Sequence, residues 1–147
     1  MSDATPQRCP LAGVDFGTKR IGLALSDAGR MIAAPLTTVT YAGGHDAAAQ
    51  AVLTATADHR VTAYVVGLPL DLDGGEGLQA RRVRNFGRKL AQLSGLPVHF
   101  WDEGLTTAAS DAIMSQAGMG RARRKGLRDQ LAAQIMLQSY LDAQTPT

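Results

Sequence analysis

Apolar and polar positions change period several times along the chain, and each change marks an element. Leu11 to Val14 is a short apolar run ending at Asp15, and Gly17-Thr18-Lys19 then turns the chain into Arg20 to Ser26, where Ile21, Leu23 and Leu25 alternate with smaller residues. This pattern predicts a strand, a tight glycine turn and an antiparallel strand. Ala33 to Thr40 reads as a third strand, and Pro35 argues that it is an edge strand or starts irregularly. His45 to His59 has no internal Gly or Pro, and Ala48, Val52 and Ala55 recur at helical spacing, so a helix is expected. Val61 to Gly67 contains Tyr64-Val65-Val66, suited to a strand covered on both faces. Leu68 to Gly75 reads as a loop, and Leu78 to Ser94 as a helix closed by Gly95 and followed by Pro97.

The remaining pattern predicts a strand over Val98 to Asp102, then a helix over Thr106 to Gln116 with Thr106 and Thr107 as natural caps. The glycine- and arginine-rich stretch from Gly118 to Lys125 reads as mobile, and Gly126 to Leu141 as the last helix. Three antiparallel leading strands followed by right-handed crossovers into parallel strands make an α/β fold, a mixed five-stranded sheet with helices on both faces. Ligand sites in such sheets form at strand ends where connections diverge. Asp15 and Glu103 would then be neighbours if the crossovers set the first strand beside the Val98 to Asp102 strand.

Composition narrows the class. With 147 residues, 45% hydrophobic and 19% charged, the chain matches one globular domain, expected over residues 11–142 between a disordered tail at 1–10 and a short one at 143–147. The net charge of +2 says little about partners, but the cations are clustered. Arg81, Arg82, Arg84, Arg88 and Lys89 form one group, and Arg121, Arg123, Arg124, Lys125 and Arg128 another. Either group suits a polyanion or is a solvated helix face. Cys9 is the single cysteine, which excludes a disulfide framework and a cysteine metal site. No 18-residue apolar run and no export feature occur, so a cytoplasmic protein without membrane contact is expected.

Three carboxylates stand where elements end or turn: Asp15, Glu103 and Asp129. Asp15 follows an apolar strand and should be partly buried, which is costly for a carboxylate without a partner; its alternative role is to cap the Gly17 turn. Strand alternation lets only one of Asp102 and Glu103 share the side of Phe100, and the longer Glu103 is the better candidate ligand. Alternatively the two acids favour a following helix through its dipole. Asp129 precedes Ala132, Ala133, Met136 and Tyr140 on one helical stripe, and its bland alternative is an exposed ion pair with Lys125 four residues earlier. Converging, the three would repel by several kcal/mol at intermediate dielectric, so such a cluster calls for divalent cations. Oxygen-only ligands favour Mg²⁺ or Mn²⁺. Two such ions activate water and stabilise a departing oxygen in phosphodiester hydrolysis. His45, His59 and His99 show no ligand spacing, and no nucleophile motif or Walker loop occurs.

Val14-Asp15-Phe16-Gly17-Thr18-Lys19-Arg20-Ile21-Gly22, Val66-Gly67-Leu68-Pro69 with Asp73-Gly74, Asp102-Glu103-Gly104-Leu105-Thr106-Thr107, and Lys125 with Asp129, Ala132, Ala133 and Leu137 to Leu141 appear in order. In these blocks the chain resembles the YqgF/RuvX family, RNase H-like proteins known as Holliday junction resolvases and pre-16S rRNA nucleases. The resemblance spans Leu11 to Asp142. It implies an RNase H-like fold and Mg²⁺- or Mn²⁺-dependent cleavage of structured nucleic acid, either pre-16S rRNA, in precursor particles of the ribosome, or branched DNA. It carries over Asp15, Glu103 and Asp129 as catalytic metal ligands. It also implies Lys125 as a phosphate contact and Gly67 and Pro69 as part of the rim; by their charge and position in the sequence, Lys19, Arg20, Arg123 and Arg124 are further candidates for phosphate, and Gly17, Thr18 and Thr106 for the rim. Asp71 stands where Asn is frequent in the family, and Gly104 where it usually has Arg; the loss of that Arg leads one to expect a weaker activity or an altered substrate. Two other readings stay open: a non-catalytic nucleic-acid-binding module, and an actin- or sugar-kinase-type ATPase, which would need a second domain.

Overall fold

The computed structural model describes residues 9–70, 73–102 and 121–144, with the backbone alone over 121–126. Strands β1 (Leu11–Phe16), β2 (Arg20–Ser26) and β3 (Ala33–Thr40) run antiparallel in succession, and α1 (His45–Thr56) follows, ending in a 3₁₀ turn over Ala57–His59. Next come β4 (Ala63–Leu68), α2 (Leu78–Ser94), β5 (Val98–Asp102) and α3 (Arg121–Gln144). The five strands form one sheet in the order β3-β2-β1-β4-β5, with β4 parallel to both β1 and β5. As its Pro35 suggests, β3 is an edge strand, and the register shifts opposite Leu23/Ala24.

Strand alternation divides the core into two layers. Ala12, Val14 and Phe16 of β1, Ile21 and Leu23 of β2, and Tyr64, Val66 and Leu68 of β4 pack with α1 and α2. Leu11, Ala24, Ala63 and Val65 point the other way, onto Ala133, Met136, Leu137 and Leu141 of α3. Every residue of β4 is buried, in keeping with its β-branched run. Tyr64, deep in the first layer, satisfies its hydroxyl on Thr56 Oγ1 at 2.8 Å. Gly95 ends α2 in the left-handed conformation at φ 71°, and its amide donates to the Ala91 carbonyl.

Three expectations change. β4 lies between β1 and β5, so the first strand and the Val98–Asp102 strand are not side by side. The physical reason is that β4 enters parallel to β1 directly after α1, taking the edge that β5 would have needed. The stretch read as a mobile segment up to Lys125 is helical from Arg121 onward, and α3 also runs past Leu141 to Gln144. Gly126 is carried inside that helix because neighbouring turns continue the backbone hydrogen bonding through it. The expected helix over Thr106 to Gln116 lies outside the described residues.

Candidate active site

Asp15 is half-buried near the end of β1, and alternation puts it with Leu11 and Gly13 on the face that α3 covers. Opposite it in the antiparallel ladder stands Gly22 of β2, where paired Cα atoms lie about 4.5–5.5 Å apart. Gly22 is where α3 touches the sheet. A Cβ at Gly22 would run into the carbonyl of Asp129 and come within 2.8 Å of the Asp129 Cβ. A Cβ at Gly13 would lie 2.8 Å from Leu137 Cβ and 3.1 Å from the Ala133 carbonyl oxygen. Two glycines and the buried Ala132 and Ala133 therefore let the helix backbone lie on the strands. That close approach sets Asp129 beside the residue facing Asp15, although 114 positions separate the two acids in sequence.

Arg20 fixes the orientation of Asp129. Its Nε donates to Asp129 Oδ2 at 2.7 Å, in a pair whose side chains are 31% and 18% exposed. The side chain of Lys125, the helical partner that the sequence offered, lies outside the described residues. The turn that delivers Arg20 is closed by backbone: the Gly17 amide donates to the Arg20 carbonyl at 2.9 Å, and a Cβ on Gly17 would lie 2.6 Å from that oxygen. From the loop after β3, Tyr41 donates its hydroxyl to the Gly17 carbonyl at 2.8 Å and its amide to the Lys19 carbonyl at 3.2 Å. Thr18 and Lys19 are exposed at the tip.

The same row continues across the sheet through Gly67 of β4, which pairs with Trp101 of β5. Trp101 turns toward α3, donating Nε1 to Ser139 Oγ at 3.1 Å and meeting the Tyr140 ring edge-on at 5.3 Å. Asp102, the next residue, alternates to the opposite face, with Phe100. Of the Asp102 and Glu103 pair, Asp102 is thus turned away from Asp15 and Asp129. Pro69 follows β4, half-buried at the same rim. Glu103 and Thr106 lie outside the described residues, and Arg123, Arg124 and Lys125 are placed only as backbone in the first turns of α3. Among the described residues no three His, Cys, Asp or Glu side chains come together to hold a metal. Asp15 and Asp129 supply oxygen donors, which suit a hard divalent cation rather than zinc.

Sequence reasoning missed the Arg20–Asp129 pair and the seating of α3 on Gly22. The signal for the second was present: Gly22 and Ala24 are the small members of an otherwise bulky alternation in β2. No comparable signal marks the first, because a cation between two strands has many acids to choose from.

Comparison with known proteins agrees with this architecture. A protein from Myxococcus xanthus (strain DK1622) named "Putative pre-16S rRNA nuclease" is 44% identical over 134 residues, 91% of this chain and 88% of that protein. One of the same name from Paracoccus denitrificans (strain Pd 1222) is 41% identical over 141 residues, 96% and 89% of the two chains. Among solved structures, T. thermophilus RuvC in complex with a Holliday junction substrate is similar with a TM-score of 0.53 over 92% of this chain and 94% of that one. At 22% identity that likeness speaks for the fold, which is of the RNase H-like type. The family model described as RuvX, Holliday junction resolvase, matches residues 10–143, and the chain belongs to that family.

Proposed function

We propose that the protein is a nuclease that hydrolyses phosphodiester bonds in structured nucleic acid, with the end of pre-16S rRNA as its substrate and the cytoplasm as its place of action. The observation that carries this reading is the seating of Asp129 on Gly22, directly across the ladder from Asp15. Asp129 thereby lies against the residue that faces Asp15, on the same face of the sheet. The relatives' name supplies the RNA substrate. A cytoplasmic site accords with the absence, among the described residues, of a helix long and apolar enough to cross a membrane.

Asp15 and Asp129, with Glu103 as the third acid, would hold Mg²⁺ or Mn²⁺. When bound, such ions supply an activated water and stabilise the leaving oxygen. Arg20 keeps the Asp129 carboxylate turned to the site and balances one negative charge there. Lys19, exposed at the β1–β2 turn, meets a substrate phosphate. Arg123, Arg124 and Lys125 lie on the helix that carries Asp129, four to six residues before it, and extend that positive rim. Gly17, Thr18, Gly67, Pro69 and Thr106 shape its floor and edge, Gly67 leaving the row between Asp15 and Trp101 without a side chain.

A second reading, cleavage of four-way DNA junctions, is favoured by the family description and the RuvC fold. The test is incubation with precursor rRNA and with a four-way DNA junction in parallel, with and without Mn²⁺. Metal-dependent cleavage of the RNA, lost in Asp15→Asn while thermal stability is unchanged or higher, is expected. Cleavage of the junction alone would favour the second reading, and salt-dependent binding without any cleavage would reduce the protein to a binding module. Asp15→Asn protein cutting at the wild-type rate would remove Asp15 from the site.

A further inference from the structure

The basic helix α2 lies on the other side of the sheet from Asp129, and nothing in the site uses it. It carries five cations, Arg81, Arg82, Arg84, Arg88 and Lys89, and no acid. Two of the five are neutralised. Arg84 binds Glu76 through two hydrogen bonds of 2.6 Å while lying over the Phe100 ring at 4.9 Å, and Lys89 reaches Asp46 of α1 at 3.2 Å. The Glu76 carboxyl is held below its usual pKa by the Arg84 hydrogen bonds, so that pair stays formed at neutral pH. The other three meet no carboxylate among the described residues. Arg82 and Arg88 bond only the neutral amides of Gln79 and Asn85, at 3.0 and 2.6 Å, and Arg81 is exposed.

Their placement is ordered. Ala80, Val83, Phe86, Gly87 and Leu90 face the sheet, and Gly87 lets the helix settle against the Phe100 ring. Arg81 and Arg88 therefore project to solvent seven residues apart, about 10 Å along the axis. Arg82 lies over the Phe16 ring at 5.5 Å, and Phe16 is the residue after Asp15. The unneutralised stripe thus begins at the rim that holds the candidate acids and runs away from it along the outer face.

The geometry points to α2 as a landing track for the phosphate backbone of a double-stranded arm of the RNA substrate, placed beside the cleavage point by Arg82 and steadied by Arg81 and Arg88. This rests on the nuclease reading above and adds to it where the uncut part of the substrate lies. A duplex carries one negative charge per about 1.7 Å of axis, so both exposed arginines reach phosphates of a single arm. Contacts of this kind carry no sequence information and set register.

The experiment measures binding of a stem-containing RNA without divalent metal across a salt series, for wild type, Arg81→Gln/Arg88→Gln, and Arg60→Asn. Arg60 is exposed, at the opposite end of β4, and its φ of 56° is one that Asn tolerates. The double variant should lower the slope of log K against log salt by about 2 and weaken binding about tenfold or more at low salt, with Arg60→Asn unchanged. An unchanged slope in the double variant, an equal loss in Arg60→Asn, or an effect confined to a DNA junction and absent on the RNA stem would overturn the proposal. Because binding is read without metal, a protein that shows the slope change yet never cleaves sinks the nuclease reading and leaves the landing track standing.

Discussion

At the scale of single residues, one cation holds one of the candidate acids. Arg20 bonds one oxygen of Asp129, and the pair is only partly shielded from water, so its contribution to stability is about 1 kcal/mol or less. Its larger effect is on orientation. Arg20→Gln should leave the fold intact while lowering kcat about tenfold, equivalent to about 1.4 kcal/mol of transition-state stabilisation. Arg20→Lys should recover part of that loss, since the charge returns without the planar fork. Equal kcat in all three proteins would remove Arg20 from the positioning of Asp129. Asp27 in the β2–β3 turn is a second residue with a legible charge state. Amides of Met31 and Ile32 donate to its Oδ1 at 2.8 and 2.9 Å, and these bonds, that from Ile32 foremost, hold its carboxyl below the usual range. A depressed carboxyl supports the turn above the unfolded pKa, and that support is lost as pH falls through the lower folded one. Protection of the Met31 and Ile32 amides from exchange, relative to their intrinsic rates, should therefore hold down to about pH 4 and fall below it. Protection that does not vary between pH 5 and 2.5 would contradict the assignment.

At the scale of elements, α3 is the part whose exact seat matters. It lies on β1 and β2 through Gly13 and Gly22, and a methyl group at either meets helix backbone or an immobile Cβ. Overpacking of this kind costs about 1–3 kcal/mol and occasionally more. Gly22→Ala should reach the upper end of that range in urea unfolding and should also reduce cleavage, because Asp129 moves with the helix. Full activity in a destabilised Gly22→Ala protein would mean that Asp129 is not held by this contact. The hairpin of β1 and β2 is pinned from the loop after β3: Tyr41 ties down the carbonyls of Gly17 and Lys19.

At the scale of the whole molecule, the two faces of the sheet divide the work. One carries Asp15, Asp129 and the α3 backbone leading to Arg123, Arg124 and Lys125; the other carries α1 and the cationic α2. If the acids share a cation, Mn²⁺ should raise the melting temperature of the wild type by several degrees, as ligand linkage requires, and do so little or not at all in Asp129→Asn. An equal shift in both proteins would place the ion elsewhere. The order of the described elements, the edge position of β3, the burial of β4 and the end of α2 at Gly95 were all legible in the sequence, because each depends on local chemistry: period, proline, β-branching, a glycine stop. The motif blocks also named the candidate acids, of which Glu103 lies outside the described residues. Tertiary structure alone decided that β4 separates β1 from β5, that the chain is already helical at Arg121, and that Arg20 bonds Asp129. Periodicity records that an element has a buried side, but the partner that covers it depends on strand order and on how closely two backbones approach. At Gly22 that approach rests on a missing side chain, whose meaning appears only when the helix lies on it.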